Sequence, residues 1–312
     1  MAAERIVTLC TNNFVDKSAQ FLVEHGACDP CTVNVKNELN TIEKASTGRW
    51  RLIMPMSVPD QLVERFFSQH QAKTEIAQWH SIPSKPGMGF SDEAVTLLHT
   101  YVLSMHRGQP GAGTDAQGWD WSCKWEDFRS VIMARIKMYG IQGTPLAKGM
   151  LNSVYCLMMK FVVFSDGYAT EQTRPGIQKS GSFYTSQLNS SARVFAAWRA
   201  GAPWAVANGD DAVEGIIDNP VEKYRQQGKV MKLYEPIKDS SFEFCSQRYG
   251  LDANRSFCYP VNEVRQMCKF LNGTRTPEQF EQLRMEWRQL PNRKELYALI
   301  EQAEAAAQGA SA

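Results

Sequence analysis

Two aspartates five positions apart, Asp115 and Asp120, a Gly-Asp-Asp triplet at Gly209, Asp210 and Asp211, and between them a polar run from Ser180 to Asn189 are the residues whose types and order could do chemistry. Hard divalent cations take carboxylate oxygens, and nucleotidyl transfer uses two such cations roughly 4 Å apart, one activating the attacking hydroxyl and one holding the triphosphate. Asp115 at the end of a short strand and Asp210 at a hairpin tip would lie side by side if both belong to one antiparallel sheet. Each feature alone is weak. Gly and Asp are favoured in turns for backbone reasons, so an isolated Gly-Asp-Asp is ordinarily a solvated loop. Thr185 and Asn189 are four apart and share one helical face, which points to a joint role.

Positioning these groups needs strands and a helix around them. Ala205 to Ala207 and Ala212 to Val213 read as two short apolar strands about an Asn208-Gly209 turn, a strong hairpin signal. Phe183 to Ala200 has helical periodicity and stops at Gly201, a residue suited to a helix C-terminus. Gly108 to Gly113 reads as a loop leading into Asp115, and the Gly, Ala and Thr before that aspartate point to a short strand. Pro59, followed by Leu62, Val63, Phe66 and Phe67, opens a helix. The most apolar stretch, Leu151 to Phe164, is interrupted by Lys160 and is shorter than the ~20 residues a spanning helix needs, so it reads as a buried core helix with no transmembrane segment implied. Thr276, Pro277 and Gln279 give a helix start, Phe280, Leu283, Trp287 and Leu290 line one face, and Pro291 separates this helix from another over Arg293 to Ala305. The alanine-rich run from Ala303 to Ala312 is expected to fray.

With 312 residues, 43% apolar and 21% charged, the chain is neither disordered nor fibrous in composition. A net charge of +1 conceals local asymmetry: basic residues cluster from Lys36 to Arg51 and again from Arg284 to Lys294, so a polyanion would be held by local surfaces. The eight cysteines, with no signal peptide at the Met1 end, do not read as a secreted disulfide framework and fit a reducing cytosol better. His25, Cys28 and Cys31, with Cys10, have spacing that could hold zinc, but a single CxxC without a partner pair is weak, and buried unliganded cysteine is the preferred reading.

Taken in order, "VNVKNELNTIEKASTGRWRLIMPMSVPDQLVERF", "TDAQGWDWS", "GIQKSGSFYTSQLNSSAR", "ANGDDAVEG" and "FEFCSQR" resemble motifs F, A, B, C and E of the RNA-dependent RNA polymerases of positive-strand RNA viruses, above all those of sobemoviruses and poleroviruses. The resemblance implies an α+β right-hand polymerase fold with an antiparallel-sheet palm, short fingers and a small helical thumb. It assigns 1–105 to fingers elements, 106–250 to the palm with a fingers insertion around 130–175, and 251–312 to the thumb. Few residues precede Lys36, which points to minimal fingers or to a fragment. The implied activity is template-directed RNA synthesis from ribonucleoside triphosphates with two Mg²⁺ or Mn²⁺ ions. Implied partners are the RNA template and nascent RNA, with a genome-linked protein primer and other viral replication proteins as candidates, in replication complexes of the host cell cytoplasm.

Carried over by position, Asp115 and Asp210 resemble the metal ligands and Asp211 a supporting carboxylate. Asp120 with Asn189 resembles the pair that reads the ribose 2′-hydroxyl. Ser180 and Gly181 resemble the loop before the motif B helix, where glycine lets the backbone pass close to a nucleotide or template base. Lys36, Lys44, Arg49 and Arg51 resemble the basic strand lining the triphosphate path, with Glu38 orienting an arginine. Of Lys223, Lys229, Lys232 and Lys238, the family's placement of a proton donor to pyrophosphate favours Lys238, with Lys232 as the alternative. A reverse-transcriptase-like polymerase and a non-catalytic RNA-binding module are the competing readings; the former lacks the Asp120 and Asn189 pair, and the latter predicts eroded carboxylates.

Overall fold

The structure is a computed structural model that describes residues 1–38, 42–48, 50–252, 255–272 and 276–309. Capping residues and apolar spacing set its first half. Helices α1 (Ala2–Thr11) and α2 (Ala19–Glu24) lead to strand β1 (Cys31–Val35), helix α3 (Ile42–Ser46) and strand β2 (Leu52–Ile53). Helix α4 (Val58–Ala77) starts where expected, with Ser57 accepting from the Asp60 amide and a proline in its first turn. A 3₁₀ turn at Trp79–Ser81 precedes α5 (Asp92–His106), which Ser91 caps.

Strand β3 (Gly111–Gln117) carries Asp115, and α6 (Trp119–Ser122), α7 (Trp125–Met138), α8 (Pro145–Met158), β4 (Phe161–Phe164) and β5 (Ala169–Glu171) follow. Two expectations change here. Strand β3 begins within the supposed loop and is seven residues long. Its small residues serve close packing: a Cβ on Gly113 would lie 3.0 Å from the Glu243 carbonyl oxygen, and one on Gly111 would lie 2.8 Å from the Trp204 ring. Nor is Leu151 to Phe164 one helix. The helix ends at Met158 because the fully buried Lys160 pairs with Asp60 of α4 at 2.7 Å, and the β-branched Val162 and Val163 then run as a strand parallel to β1.

Helix α9 (Thr185–Ala200) ends at Gly201 with φ +97°, as its sequence predicts. Then come β6 (Ala205–Asn208), β7 (Asp211–Gly215), α10 (Pro220–Gln226), β8 (Val230–Pro236), β9 (Phe242–Phe244), β10 (Gln247–Asp252) and β11 (Arg255–Pro260). The chain closes with α11 (Glu263–Leu271), α12 (Pro277–Trp287) and α13 (Arg293–Gly309). Thr276 and Gln279 form the expected capping box, whereas the alanine-rich run expected to fray is helical through Gly309, with Ala303 packed on the Trp287 cluster.

The sheet that matters for the site has strand order β6-β7-β3-β8, antiparallel throughout. Alternation along β6 and β7 divides its faces: Ala205, Ala207 and Ala212 meet a large cluster with Trp119, Leu188 and Tyr224, while Val206 and Val213 meet a second cluster with Leu98, Val102, Phe242 and Tyr249. Alanine on the first face lets α9 approach closely. The outer edge of β6 is covered, because Lys85 N donates to Ala207 O at 2.8 Å and Ala207 N to Pro83 O at 3.0 Å. A second four-stranded sheet, β2-β1-β4-β5, and a three-stranded one, β11-β10-β9, complete the fold, with β9 packed against β3 and β7.

Candidate active site

Asn208 pairs with Asp211, so the hairpin turn consists of Gly209 and Asp210 and not of Asn208 and Gly209 as its sequence suggested. Gly209 has φ +65° at the first turn position, the placement a type II′ hairpin requires. Strand β3 pairs with β7 up to Thr114 opposite Ala212. Asp115 is the next residue along β3, and its charge reaches both Asp210 and Asp211. Three carboxylates thus gather at one end of the sheet. Burial, then repulsion by Asp210, Asp115 and Glu243, pushes the Asp211 carboxyl up to about 7. Burial and Asp115 raise that of Asp210 as well.

The long helix α9 holds this turn from behind. Ser190 Oγ accepts from the Gly209 amide at 2.9 Å. Arg193, fully buried, donates to the Asp210 carbonyl at 3.2 Å, to Thr114 Oγ1 at 2.5 Å and to the Tyr224 hydroxyl at 2.8 Å, and its guanidinium lies 3.2 Å from Glu214. Tyr224 in turn donates to Glu214 at 2.6 Å. One side chain therefore ties the turn, the residue before Asp115 and β7 together. Neither Ser190 nor Arg193 was singled out in the sequence, although Asn189 and Arg193 are four apart, the same spacing that linked Thr185 to Asn189.

Asn189 Nδ2 donates to Asp120 Oδ1 at 3.3 Å, and Asn189 Oδ1 accepts from the Trp119 indole, so its amide orientation is set at both ends. Burial, then Asp210, raises the Asp120 carboxyl, which places Asp120 within reach of the hairpin aspartate's charge. The Thr185 hydroxyl donates to the Ser182 carbonyl at 2.7 Å and holds the preceding loop. Ser180 Oγ accepts from Met54 N at 3.2 Å. The Gly181 amide donates to Met54 O at 3.1 Å, and a Cβ there would sit 2.6 Å from Pro55 Cα. The close approach that demands glycine is thus to the backbone after β2. A further residue missed in the sequence completes this loop: Glu64 of α4, 3% exposed, accepts from Ser182 Oγ at 3.0 Å and from Phe183 N at 2.7 Å, and burial pushes its carboxyl up to about 7.

Among the basic residues, Lys36 and Arg51 flank Glu38 at 3.1 and 3.3 Å, as expected of an orienting carboxylate. The Arg51 charge reaches both Asp120 and Asp210, where it partly offsets the rise from burial. Arg49 and the Lys44 side chain lie outside the described residues. On β8, Lys232 Nζ lies 2.7 Å from Asp115 Oδ2. Lys238 stands five residues beyond Leu233, the partner of Asp115, past the end of β8 in the turn to β9, where it bridges to Ser241. His25 stacks on Phe21, Cys31 Sγ donates to Thr32 O, and Cys28 lies beside Cys156, so the residues with zinc-like spacing point to different neighbours.

Among the described residues no three ligand-type side chains converge closely enough to form a metal-holding group. The donor chemistry at the hairpin nevertheless suits a hard divalent cation: Asp115, Asp210 and Asp211 offer only carboxylate oxygens, and the mutual repulsion that raises two of them is what such a cation relieves. Asp115 and Asp210 would hold the ion, with Asp211 beside them.

The family model described as viral RNA-directed RNA-polymerase matches residues 2–103 and 118–266. Asp120, Asn189, Asp210 and Asp211 fall inside the match and Asp115 in the interval between its segments. The replicase polyprotein P2AB of Cocksfoot mottle virus is 43% identical over 70% of this chain and 23% of its own length. That of Southern bean mosaic virus is 41% identical over 86% of the chain and 28% of its own. Protein P1-P2 of Potato leafroll virus, Scottish strain, is 35% identical over 86% and 26%. The chain spans about a quarter of the length of these curated relatives. Among the described residues no helix is long and apolar enough to cross a membrane. On the family match and these identities, the chain belongs to the viral RNA-directed RNA-polymerase family.

Proposed function

We propose that this chain is the catalytic part of an RNA-directed RNA polymerase, extending RNA on an RNA template from ribonucleoside triphosphates, with the β6-β7-β3-β8 sheet as the palm of a right hand. The observation that carries the reading is the sheet end where Asp115 of β3 meets the Gly209-Asp210 turn, clamped by Arg193 of α9. The replicase names of the relatives support a role in viral RNA replication. Elements before β3 would form the fingers and α11 to α13 the thumb.

When bound, two Mg²⁺ or Mn²⁺ ions supply activation of the attacking hydroxyl and neutralisation of the triphosphate. Asp115 and Asp210 would hold and orient that centre, with the Asp211 carboxyl beside it. Lys36 and Arg51, spaced by Glu38, present guanidinium and ammonium groups to the incoming phosphates. Asn189 and Asp120 offer a hydrogen-bonding pair to a ribose hydroxyl, and this pair favours RNA synthesis over a reverse-transcriptase-like reading. For the proton given to departing pyrophosphate, the Lys232 ion pair with Asp115 supports Lys232 as the donor, and Lys238 in the β8–β9 turn is the alternative.

Extension of a self-priming RNA by the purified chain with Mg²⁺ or Mn²⁺, alongside Asp210→Asn, tests the reading. Incorporation by the wild type and none by the variant is expected; binding of RNA with no incorporation under either metal would favour the non-catalytic RNA-binding module.

A further inference from the structure

A second basic surface lies along β11, the outer strand of the β9–β11 sheet. The β9–β10 turn is at the carboxylate end, where Asn208 Nδ2 donates to Cys245 Sγ at 3.4 Å. From Gln247, β10 runs away for roughly 16 Å before Asp252 pairs with Arg255 of β11. From that end, and along β11 as far as Tyr259 opposite Arg248, a cleft of about 730 Å³ opens between β11, the start of α5 and the segment joining α12 to α13, lined by Arg255, Phe257, Tyr259, Arg288, Arg293 and Asp92 among others.

Its chemistry is ordered. Arg255, Phe257 and Tyr259 alternate along β11, so the two-residue period puts all three side chains on one face of an edge strand. Gly250 opposes Phe257, and a Cβ there would lie 2.4 Å from the ring, so glycine is what lets the ring rest against the sheet. The Phe257 and Tyr259 rings are parallel within 7°, centroids 5.6 Å apart. Arg255 and Arg288 reach Asp92 at 2.9 and 2.6 Å, so a single carboxylate answers two guanidiniums. With Arg293 the lining keeps excess positive charge.

We propose that this cleft binds single-stranded RNA outside the catalytic centre, with backbone phosphates on Arg255, Arg288 and Arg293 and a base against the Phe257 and Tyr259 pair. Guanidinium forks beside parallel rings suit a polyanion that also carries flat apolar faces. An acidic protein segment would use the arginines and leave the rings without a matching partner. The binding does not depend on the catalytic reading, since Asp210→Asn should retain it.

The test uses the whole chain loaded with a short self-priming hairpin RNA, to which a labelled single-stranded oligonucleotide carrying 4-thiouridine is added. Photo-cross-links should map to the β11 peptide containing Phe257 and Tyr259. Arg255→Glu combined with Arg293→Glu, both at exposed positions, should remove those cross-links, weaken strand binding about tenfold and lower the log–log salt slope by roughly 1.4, about 0.7 for each lost phosphate contact, while hairpin extension stays at the wild-type rate. Cross-links confined to other peptides, or an unchanged affinity and slope, would overturn the assignment. Binding of an acidic peptide that the double variant abolishes, with no RNA cross-link, would make the cleft a protein-docking surface instead.

Discussion

Arg193 holds Asp210 by its backbone and not by its carboxylate: the guanidinium donates to the Asp210 carbonyl at 3.2 Å while its charge is answered by Glu214. The aspartate side chain is thereby left to face Asp115, and the turn that presents it is anchored in the core.

Arg193→Lys should keep a charge near Glu214 but cannot span the Asp210 carbonyl, Thr114 and Tyr224 together. Loss of these bonds should cost about 1–3 kcal/mol of stability and lower kcat more than it raises KM for nucleotide. Arg193→Met should cost about 3–5 kcal/mol because Glu214 is left buried and unpaired, and adding Glu214→Gln should recover part of it. Denaturant unfolding with steady-state extension measures both; a fully stable Arg193→Met would show that the clamp is dispensable.

Asp210→Ala and Asp115→Ala should each abolish nucleotide incorporation while leaving the folded state intact, because each removes a cation-holding oxygen at the sheet end and no core group. Circular dichroism beside an extension assay decides. Substantial extension by either variant with Mg²⁺ would remove that residue from the metal site.

Asn189→Ala should relax sugar selection, raising deoxynucleotide use relative to ribonucleotide use, since the Asp120 and Asn189 pair would no longer be fixed to meet a hydroxyl. An effect of this kind can reach about 10⁴ for a site built around a hydroxyl. Equal incorporation ratios for variant and wild type would leave Asn189 with only its Trp119 and Asp120 contacts to explain it.

Glu64 makes stability pH-dependent in a defined direction. Its carboxyl is raised from 4.5 to about 7 by burial, with Lys160 and the Ser182 and Phe183 donors opposing and Asp60 adding to the rise. A raised folded-state value means the folded protein holds the proton longer, so the Glu64 contribution to stability is full below pH 4.5 and declines as pH rises to about 7. Glu64→Gln, whose amide oxygen can accept the same two donors, should match wild type near pH 4.5 and exceed it by about 3 kcal/mol above pH 7.5. Thermal unfolding across that range checks it, and parallel curves for the two proteins would show no titration at Glu64.

Lys232→Leu should slow the single-turnover rate, and Lys232→His should restore part of it with a lower apparent pKa, while Lys238→Leu stays near wild type. A slowed Lys238→Leu with an unaffected Lys232→Leu would return the proton-donor role to Lys238 and show that the β8–β9 turn closes on the site.

Local chemistry in the sequence was enough for the elements that cap themselves: α9 stops at Gly201, α12 starts at the Thr276 and Gln279 box, and α4 starts at Ser57 and Pro59. Ordered motifs likewise sufficed to pick out Asp115, Asp120, Asn189 and Asp210 as belonging together. What they could not supply were contacts between residues far apart in the chain. The break at Lys160 depends on Asp60, 100 residues earlier, and a run of apolar residues looks the same whether a helix continues or a buried ion pair ends it. Gly181 answers to Pro55, Gly113 to Glu243, and the alanine face of β6 and β7 to α9, all set by how closely two layers approach. Nothing local marks Arg193 and Glu64 as buried, since a charged residue in a helix is usually solvated; only the packing of α9 on the sheet and of α4 on the loop before α9 removes water from them and turns each into a clamp.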